Sequence, residues 1–205
     1  MSNIVINGAT YKGVPSIQVP NESGEMVEFE ETSDIDKILN RTITSYSNDR
    51  ITQVGACAFQ YCSNLYNVSF ANVTHFQIYA FSNCTNLLKV ISPKIEAFMS
   101  YCFYSCSRLT KIDAPVGRVI QANAFLSSGL KTLIFRKNAL ATLSSSNAFT
   151  STPIASGTGY IYVPSALVDS YKTATNWSVY ANQFRALEDY TVDGTITGEL
   201  DENKI

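Results

Sequence analysis

AFQYCSNL, residues 58–65, returns as AFSNCTNL at residues 80–87 with a cysteine at the same place. Such a word is either a metal or redox site written twice or a unit that repeats for structural reasons. The columns around it decide between the two. Phe59, Phe81, Phe103 and Phe125 follow one another at intervals of 22 residues, and Phe149 follows at 24. Ala58, Ala80, Cys102, Ala124 and Ala148 stand one place before them, and Cys62, Cys84, Cys106, Ser128 and Thr152 three places after. Val54, Phe76, Phe98 and Ile120 form a further column, as do Leu65, Leu87, Leu109 and, after a one-residue deletion, Leu130.

A unit of about 22 residues is short for a helix pair and combines an extended apolar piece with a tight turn rich in Ser, Asn and Cys. LYNVSF, LLKVIS, LTKIDA and LKTLIF read as strands whose first, fourth and sixth residues face inward. One such unit cannot bury its apolar side alone, but stacked units share a continuous core. The expected fold is a mainly β solenoid with equivalent residues ~5 Å apart, the spacing of paired strands.

The cysteine column then takes a structural reading. A metal ligand does not exchange with a serine hydroxyl, whereas a small, weakly polar group packed inside a turn near backbone amides does. Parallel side chains in one column also do not aim their β carbons at each other as a disulfide requires. Cys57 differs: its column continues as Tyr79, Tyr101 and Asn123 and should point outward, which makes it the best candidate for a reactive thiol.

Composition excludes several classes. With 205 residues, 45% of them hydrophobic, the chain can bury a substantial core. The start, MSNIVINGATYKG, lacks a basic head and apolar run, and no uncharged apolar stretch is long enough to span a bilayer. Membrane insertion is therefore not expected. Five cysteines without paired C-x-x-C spacing write neither a disulfide framework nor a zinc ribbon. The net charge of −2 hides a segregation: −4 over residues 1–50, +6 over 51–157 and −4 over 158–205.

No catalytic constellation is visible, and no cofactor is expected. His75, the only histidine, is placed in a turn between strands with its neighbour Phe76 inward, so a histidine-dependent nucleophile has no evident base. Glu96 and Asp113 are the only carboxylates of the repeat block, and they share no column, as paired glycosidase carboxylates would not be arranged. Non-enzymatic recognition is the expectation. One candidate surface is the outward side of the strands, with Asn67, Lys89, Lys111 and Thr132 in one column, Ser69, Ile91, Asp113 and Ile134 in the next, and Lys131 and Arg136 beside them. Its basic character suits an anionic cell-surface polymer, an acidic glycan or an acidic protein patch, or is simple solubilising charge. Nucleic acid fits less well, because the basic residues are dispersed and arginine is scarce. A second candidate is a turn surface of Tyr61, Tyr79, Tyr101 and Tyr104, where tyrosines either contact a partner or stack between coils.

Solenoids need atypical ends. IVINGATYKG reads as a hairpin around Asn7-Gly8, and DIDKILN as a short helix with Ile35, Ile38 and Leu39 on one side. GYIYVP is a strand, and SALVDSYKTATNW a helix begun by Ser165, with Leu167, Val168 and Tyr171 on the last coil and Trp177 close behind. The expected division is residues 1–50 as an N-terminal hairpin and acidic cap or attachment segment, 51–164 as solenoid, 165–190 as a helical cap, and 191–205 as an acidic tail around Asp193-Gly194.

ITQVGACAFQYCSNLYNVSF resembles, nearly position for position, the repeat I-x-x-I-x-x-x-A-F-x-x-C-x-x-L-x-x-V-x-x-P of BspA-like leucine-rich repeat proteins, and the resemblance covers residues 51–164. It implies a curved, non-catalytic ligand-binding array, often on bacterial surfaces. TPIASGTGYIYVP and VDSYKTATNW resemble the closing segment of BspA-like proteins of gut bacteria and their phages, and INGATYKGVPSIQVP resembles the opening of phage or prophage structural proteins. These ends imply a virion-associated protein, extracellular after lysis and attached through residues 1–50. A bacterial cell-surface adhesin and a purely structural virion protein are the alternatives.

Overall fold

The computed structural model describes residues 34–190 in full; outside them it describes only the backbone of residues 4–6, 9–11, 18–20, 26–28, 32–33, 191–192 and 195–196. Among these, Ile4–Ile6 pairs antiparallel with Ala9–Tyr11, Gln18–Pro20 with Met26–Glu28, and Thr191–Val192 with Thr195–Ile196. The turn residues Asn7-Gly8 and Asp193-Gly194 lie outside the described residues. No strand is expected from the sequence at 18–20 or 26–28.

Three ladders wall the solenoid. The first is a five-stranded parallel sheet of two-residue strands, Gln53–Val54, His75–Phe76, Ala97–Phe98, Val119–Ile120 and Thr142–Leu143, in chain order across the sheet. In each strand the second residue is buried in the core, and Ala97 is the one first-place residue that is buried as well. The second wall is made of the longer strands Ser45–Ser47, Asn67–Ser69 and Lys89–Ile91, paired in parallel, and a separate parallel sheet of Lys111–Ala114, Thr132–Phe135, Tyr160–Val163 and Phe184–Ala186. His75 is therefore a half-buried strand residue paired with Gln53 and Ala97, not a turn residue.

The third wall carries the repeated word. Its residues are turns stitched across coils: Phe59 N–H donates to Ala80 O (2.8 Å), Phe81 to Cys102 O (2.8 Å), Phe103 to Ala124 O (2.8 Å) and Phe125 to Ala148 O (2.9 Å). Within each coil, Gln60 N–H closes on Cys57 O and Cys62 N–H on Phe59 O. This alternation requires left-handed backbone at two places per coil. Cys57, Tyr79, Tyr101 and Asn123 form one such column, and Tyr61, Asn83, Ser105, Ser127 and Ser151 the other, all with φ between +57° and +63°. None of these nine is glycine, although a Cβ costs roughly 1–2 kcal/mol there.

The core follows from the columns. The rings of Phe59, Phe81, Phe103, Phe125 and Phe149 stack in one pile, with successive centroids 5.2, 5.2, 5.6 and 5.6 Å apart and planes within 9° of parallel. Phe76 meets Phe81 and Phe103 edge-on at 5.2 and 5.5 Å. Leu65, Leu87, Leu109 and Leu130 are completely buried beside the pile. The deletion before Leu130 is absorbed at Gly129, where a Cβ would lie 2.2 Å from the Ser107 carbonyl oxygen. Only glycine lets the shortened turn lie against the coil before it.

Both ends of the described chain pack on this core. Helix α1, Thr32–Leu39, sets Ile38 against it, but Leu39 points away and is 48% exposed. The half-buried stripe is the i, i+3 pair Ile35 and Ile38, and Leu39, the last residue of the helix, falls outside it. At the other end, a single-turn helix at Ser165–Leu167 leads into α2, Val168–Thr173. Ser165 does not cap it: its hydroxyl donates to Glu188 Oε1 at 3.2 Å instead. Tyr171 and Trp177 are buried against Phe135. Their polar atoms reach backbone left open by the last coil: Ala141 N–H donates to Tyr171 Oη (2.8 Å), and Trp177 Nε1 donates to Ala141 O (2.7 Å).

Candidate functional site

The side of the second wall that faces away from the core brings together the columns expected from the sequence and lengthens them. Ser45, Asn67 and Lys89 align, as do Lys111, Thr132 and Tyr160. Alongside run Ser47, Ser69 and Ile91, and then Asp113, Ile134, Tyr162 and Arg185. The ladder is interrupted between Lys89–Ile91 and Lys111–Ala114, and the two halves differ in state.

The half beyond the interruption is covered by the chain's own groups. Arg136 grips Asp113 with Nε at 3.1 and 3.2 Å from the two carboxylate oxygens and Nη2 at 2.7 Å from Oδ2. Tyr190 lies edge-on to Tyr162 at 4.9 Å, and the Lys111 ammonium sits 5.0 Å from the Tyr190 ring centroid. Arg185 covers Tyr160 at 4.4 Å. Ile134, expected to face solvent, is fully buried between Asp113 and Tyr162 in this layer, outside the main core. Thr132 is half-buried. Sequence reasoning missed this cover because Arg185 and Tyr190 stand outside the repeat, 25 and 28 residues beyond Tyr160 and Tyr162 and much farther beyond Lys111. The only signal was the run of aromatic and charged residues in FRALEDY.

The other half is open. A depression of ≈ 780 Å³ is lined by Ser45, Ser47, Asn67, Ser69, Lys89 and Ile91, with Lys37 and Asp34 of α1 at its side. Lys37 and Asp34 pair at 3.2 Å. Lys89 is exposed and makes no ion pair among the described residues. Hydroxyls, an amide and the Lys89 ammonium on a backbone held by parallel hydrogen bonds can bind and orient polar or anionic groups. They supply no nucleophile–base pair.

The tyrosines of the turn wall do not form one surface. Tyr79 and Tyr101 stack at 4.9 Å with planes 14° apart, both half-buried, and Asn123 Nδ2 donates to Tyr101 Oη at 2.8 Å. Tyr104 sits edge-on to Tyr101 at 6.0 Å. Tyr61 belongs to the other left-handed column, is 48% exposed, and lies under the Arg41 guanidinium at 5.1 Å.

The cysteines are structural donors. Cys84 Sγ donates to Phe59 O and Cys106 Sγ to Phe81 O, each at 3.0 Å. The slot thus presents a carbonyl to the cysteines, and the amides expected from sequence appear at its later members, where Leu130 N–H donates to Ser128 Oγ (3.4 Å) and Ala155 N–H to Thr152 Oγ1 (3.2 Å). Thr152 Oγ1 donates likewise to Phe149 O, within its own coil, at 2.7 Å. Burial pushes the Cys62 thiol up to about 11 against the pull of Arg41. Burial drives Cys84, Cys102 and Cys106 upward as well. Cys57 is half-buried rather than outward. Among the described residues no group of three or more His, Cys, Asp or Glu could hold a metal, and no helix is long and apolar enough to cross a membrane. Glu96 and Asp113 are not a pair: Glu96 meets Arg118 at 3.3 Å, and Asp113 meets Arg136.

Comparison with known proteins meets this geometry. No curated protein sequence matches the chain. Among solved structures, the leucine rich repeat protein of T. pallidum (TpLRR) is similar at 22% identity over 56% of this chain and 52% of that one, with a TM-score of 0.47. The pneumococcal vaccine antigen PcpA is similar at 14% identity over 70% and 40% of the respective chains, with a TM-score of 0.44. The chain thus spans about half of the first and less of the second. The model of the BspA type leucine rich repeat region matches six copies over residues 34–155, more than half of the chain. The matched residues include all five phenylalanines of the pile, and the chain belongs to the BspA-type leucine-rich repeat family.

Proposed function

We propose that the chain is a non-enzymatic recognition module whose open half-sheet engages a partner at a host surface, in the setting of a phage or prophage particle. Leucine-rich repeat proteins generally mediate protein interaction or adhesion. The observation that carries the reading is the contrast within one face: Lys111, Asp113 and Arg136 are occupied by intramolecular contacts, while Asn67 and Lys89 stand over an open depression. A rigid ladder loses little conformational entropy when a ligand binds. The particle setting is supported by the resemblance of residues 6–20 to the opening of phage structural proteins, with residues 1–50 as the attachment segment.

Two experiments test the two parts. An antibody to the chain should label particles released at lysis, and the purified chain should bind envelope fragments of the host and compete with particle adsorption. Labelling without binding would make the chain a structural virion protein. Binding with the chain found on intact bacterial cells, and none on particles, would make it a cell-surface adhesin module.

A further inference from the structure

The corner where the turn wall meets the open sheet carries two exposed apolar side chains in neighbouring coils. Tyr66 is 38% exposed and Leu88 43% exposed, and Leu88 N–H donates to Tyr66 O at 2.8 Å, which fixes them side by side. The same column continues to Thr110 and Lys131, whose N–H donates to Thr110 O at 2.9 Å. Two apolar side chains exposed side by side offer a contact on which an apolar group of a partner can be buried.

Its rim holds three cations among neutral residues such as Asn67 and Thr110. Lys89 follows Leu88, Arg108 reaches Asn86 in the coil before it at 3.3 Å, and Lys131 ends the column. Lys89, Arg108 and Lys131 are exposed and have no carboxylate partner among the described residues. The two carboxylates of the repeat block are spent elsewhere: Glu96 on Arg118 and Asp113 on Arg136. Asp34, which borders the same depression as Lys89, is itself paired with Lys37, so among the described residues the corner carries an excess of positive charge around an apolar centre.

We infer that this corner docks an acidic polypeptide segment bearing an aromatic or aliphatic side chain, which seats against Tyr66 and Leu88 while its carboxylates meet Lys89, Arg108 and Lys131. The inference rests on the recognition reading and names the partner class for it. A polyanion without apolar groups would satisfy the rim and leave the centre bare, so the two occupants differ in what they gain from Leu88. Charged rim contacts chiefly raise the association rate and its salt sensitivity, and the buried apolar contact slows dissociation.

The test uses the full chain and three fluorescent probes: a random glutamate–tyrosine copolymer, poly-glutamate and dextran sulfate. The copolymer is expected to bind about tenfold tighter than poly-glutamate, the difference that burial of one apolar side chain supplies. Leu88→Ser should remove that difference, and the double variant Lys89→Glu, Lys131→Glu should abolish binding of all three. Both variants alter exposed residues, and an unchanged melting curve is the control. Equal binding of the three polymers, or copolymer binding indifferent to Leu88→Ser, overturns the inference. If none of the polymers binds while host envelope fragments do, the acidic-peptide inference falls and the recognition reading stands; if nothing binds, both fall.

Discussion

The thiol of Cys84 donates a hydrogen bond to the carbonyl oxygen of Phe59 at 3.0 Å, and one coil later Cys106 makes the same bond to Phe81. The repeated cysteine therefore ties each coil to the one before it. A hydroxyl keeps the donor, as Thr152 does toward Phe149 O, while alanine deletes it. Cys84→Ser should unfold within about 1 kcal/mol of the wild type, and Cys84→Ala should lose about 1 kcal/mol for the missing bond. Urea titration reads both, and an alanine variant more stable than the serine variant would contradict the role.

The same burial predicts alkaline sensitivity. Each buried thiol has a folded pKa above its unfolded value of ~8.5, so folded and unfolded states bind protons alike at neutral pH and diverge above it. Stability is fully present below about pH 8.5 and is lost toward the folded value of about 11 for Cys62, at about 1.4 kcal/mol per thiol per pH unit. Urea midpoints measured between pH 7.5 and 10.5 should fall with pH, and the fall should be shallower in Cys62→Ser. In the native protein a thiol reagent should label Cys57 ahead of the other four.

Phe81 touches the stacked rings above and below it, the tilted ring of Phe70 and the edge-on ring of Phe76. Its replacement by alanine removes a central plank from the pile and should cost ~3–5 kcal/mol. Because each coil contacts only its neighbours, the loss should fall on coils beside residue 81 first. Hydrogen exchange should show faster opening of residues 59–103 than of residues 149–184. An unchanged melting temperature would break the register on which the fold rests.

Two positions on the turn wall should respond to substitution in opposite directions. Ser127 holds φ at +58° with a Cβ, so Ser127→Gly should be neutral to stabilising by up to ~1 kcal/mol, strain relief outweighing the entropy of the freer unfolded chain. Gly129, two residues on, has no room for a Cβ against Ser107 O. Gly129→Ala should destabilise by at least ~2 kcal/mol, since backbone must move to admit it. Thermal melts of the two variants should shift apart.

The register was readable because a buried column tolerates few side chains: five phenylalanines in one frame leave little choice of packing. Left-handed backbone was not readable, because Tyr79, Tyr101, Ser105 and Ser127 are not the glycines that usually announce it. Those residues are held in place by inter-coil hydrogen bonds, a property of the stack and not of any single repeat. The outward columns were also placed by the repeat, including Asn67, Lys89 and Lys111. Which of them is free was decided by a distant segment, when Tyr190 came to lie on Lys111 and Tyr162. Ser165 shows the same limit: its sequence context suits a cap, but Glu188 offers its hydroxyl a competing partner.

Recognition through the open half-sheet is tested most directly by paired variants on the two halves of one face. Binding to host envelope fragments would be measured for Asn67→Glu with Lys89→Glu, and for Lys111→Glu with Thr132→Glu, each checked by circular dichroism. The first pair should abolish binding and the second leave it within about threefold, a difference below 1 kcal/mol. Binding that survives the first pair, or that is lost only with the second, would contradict the assignment of the site.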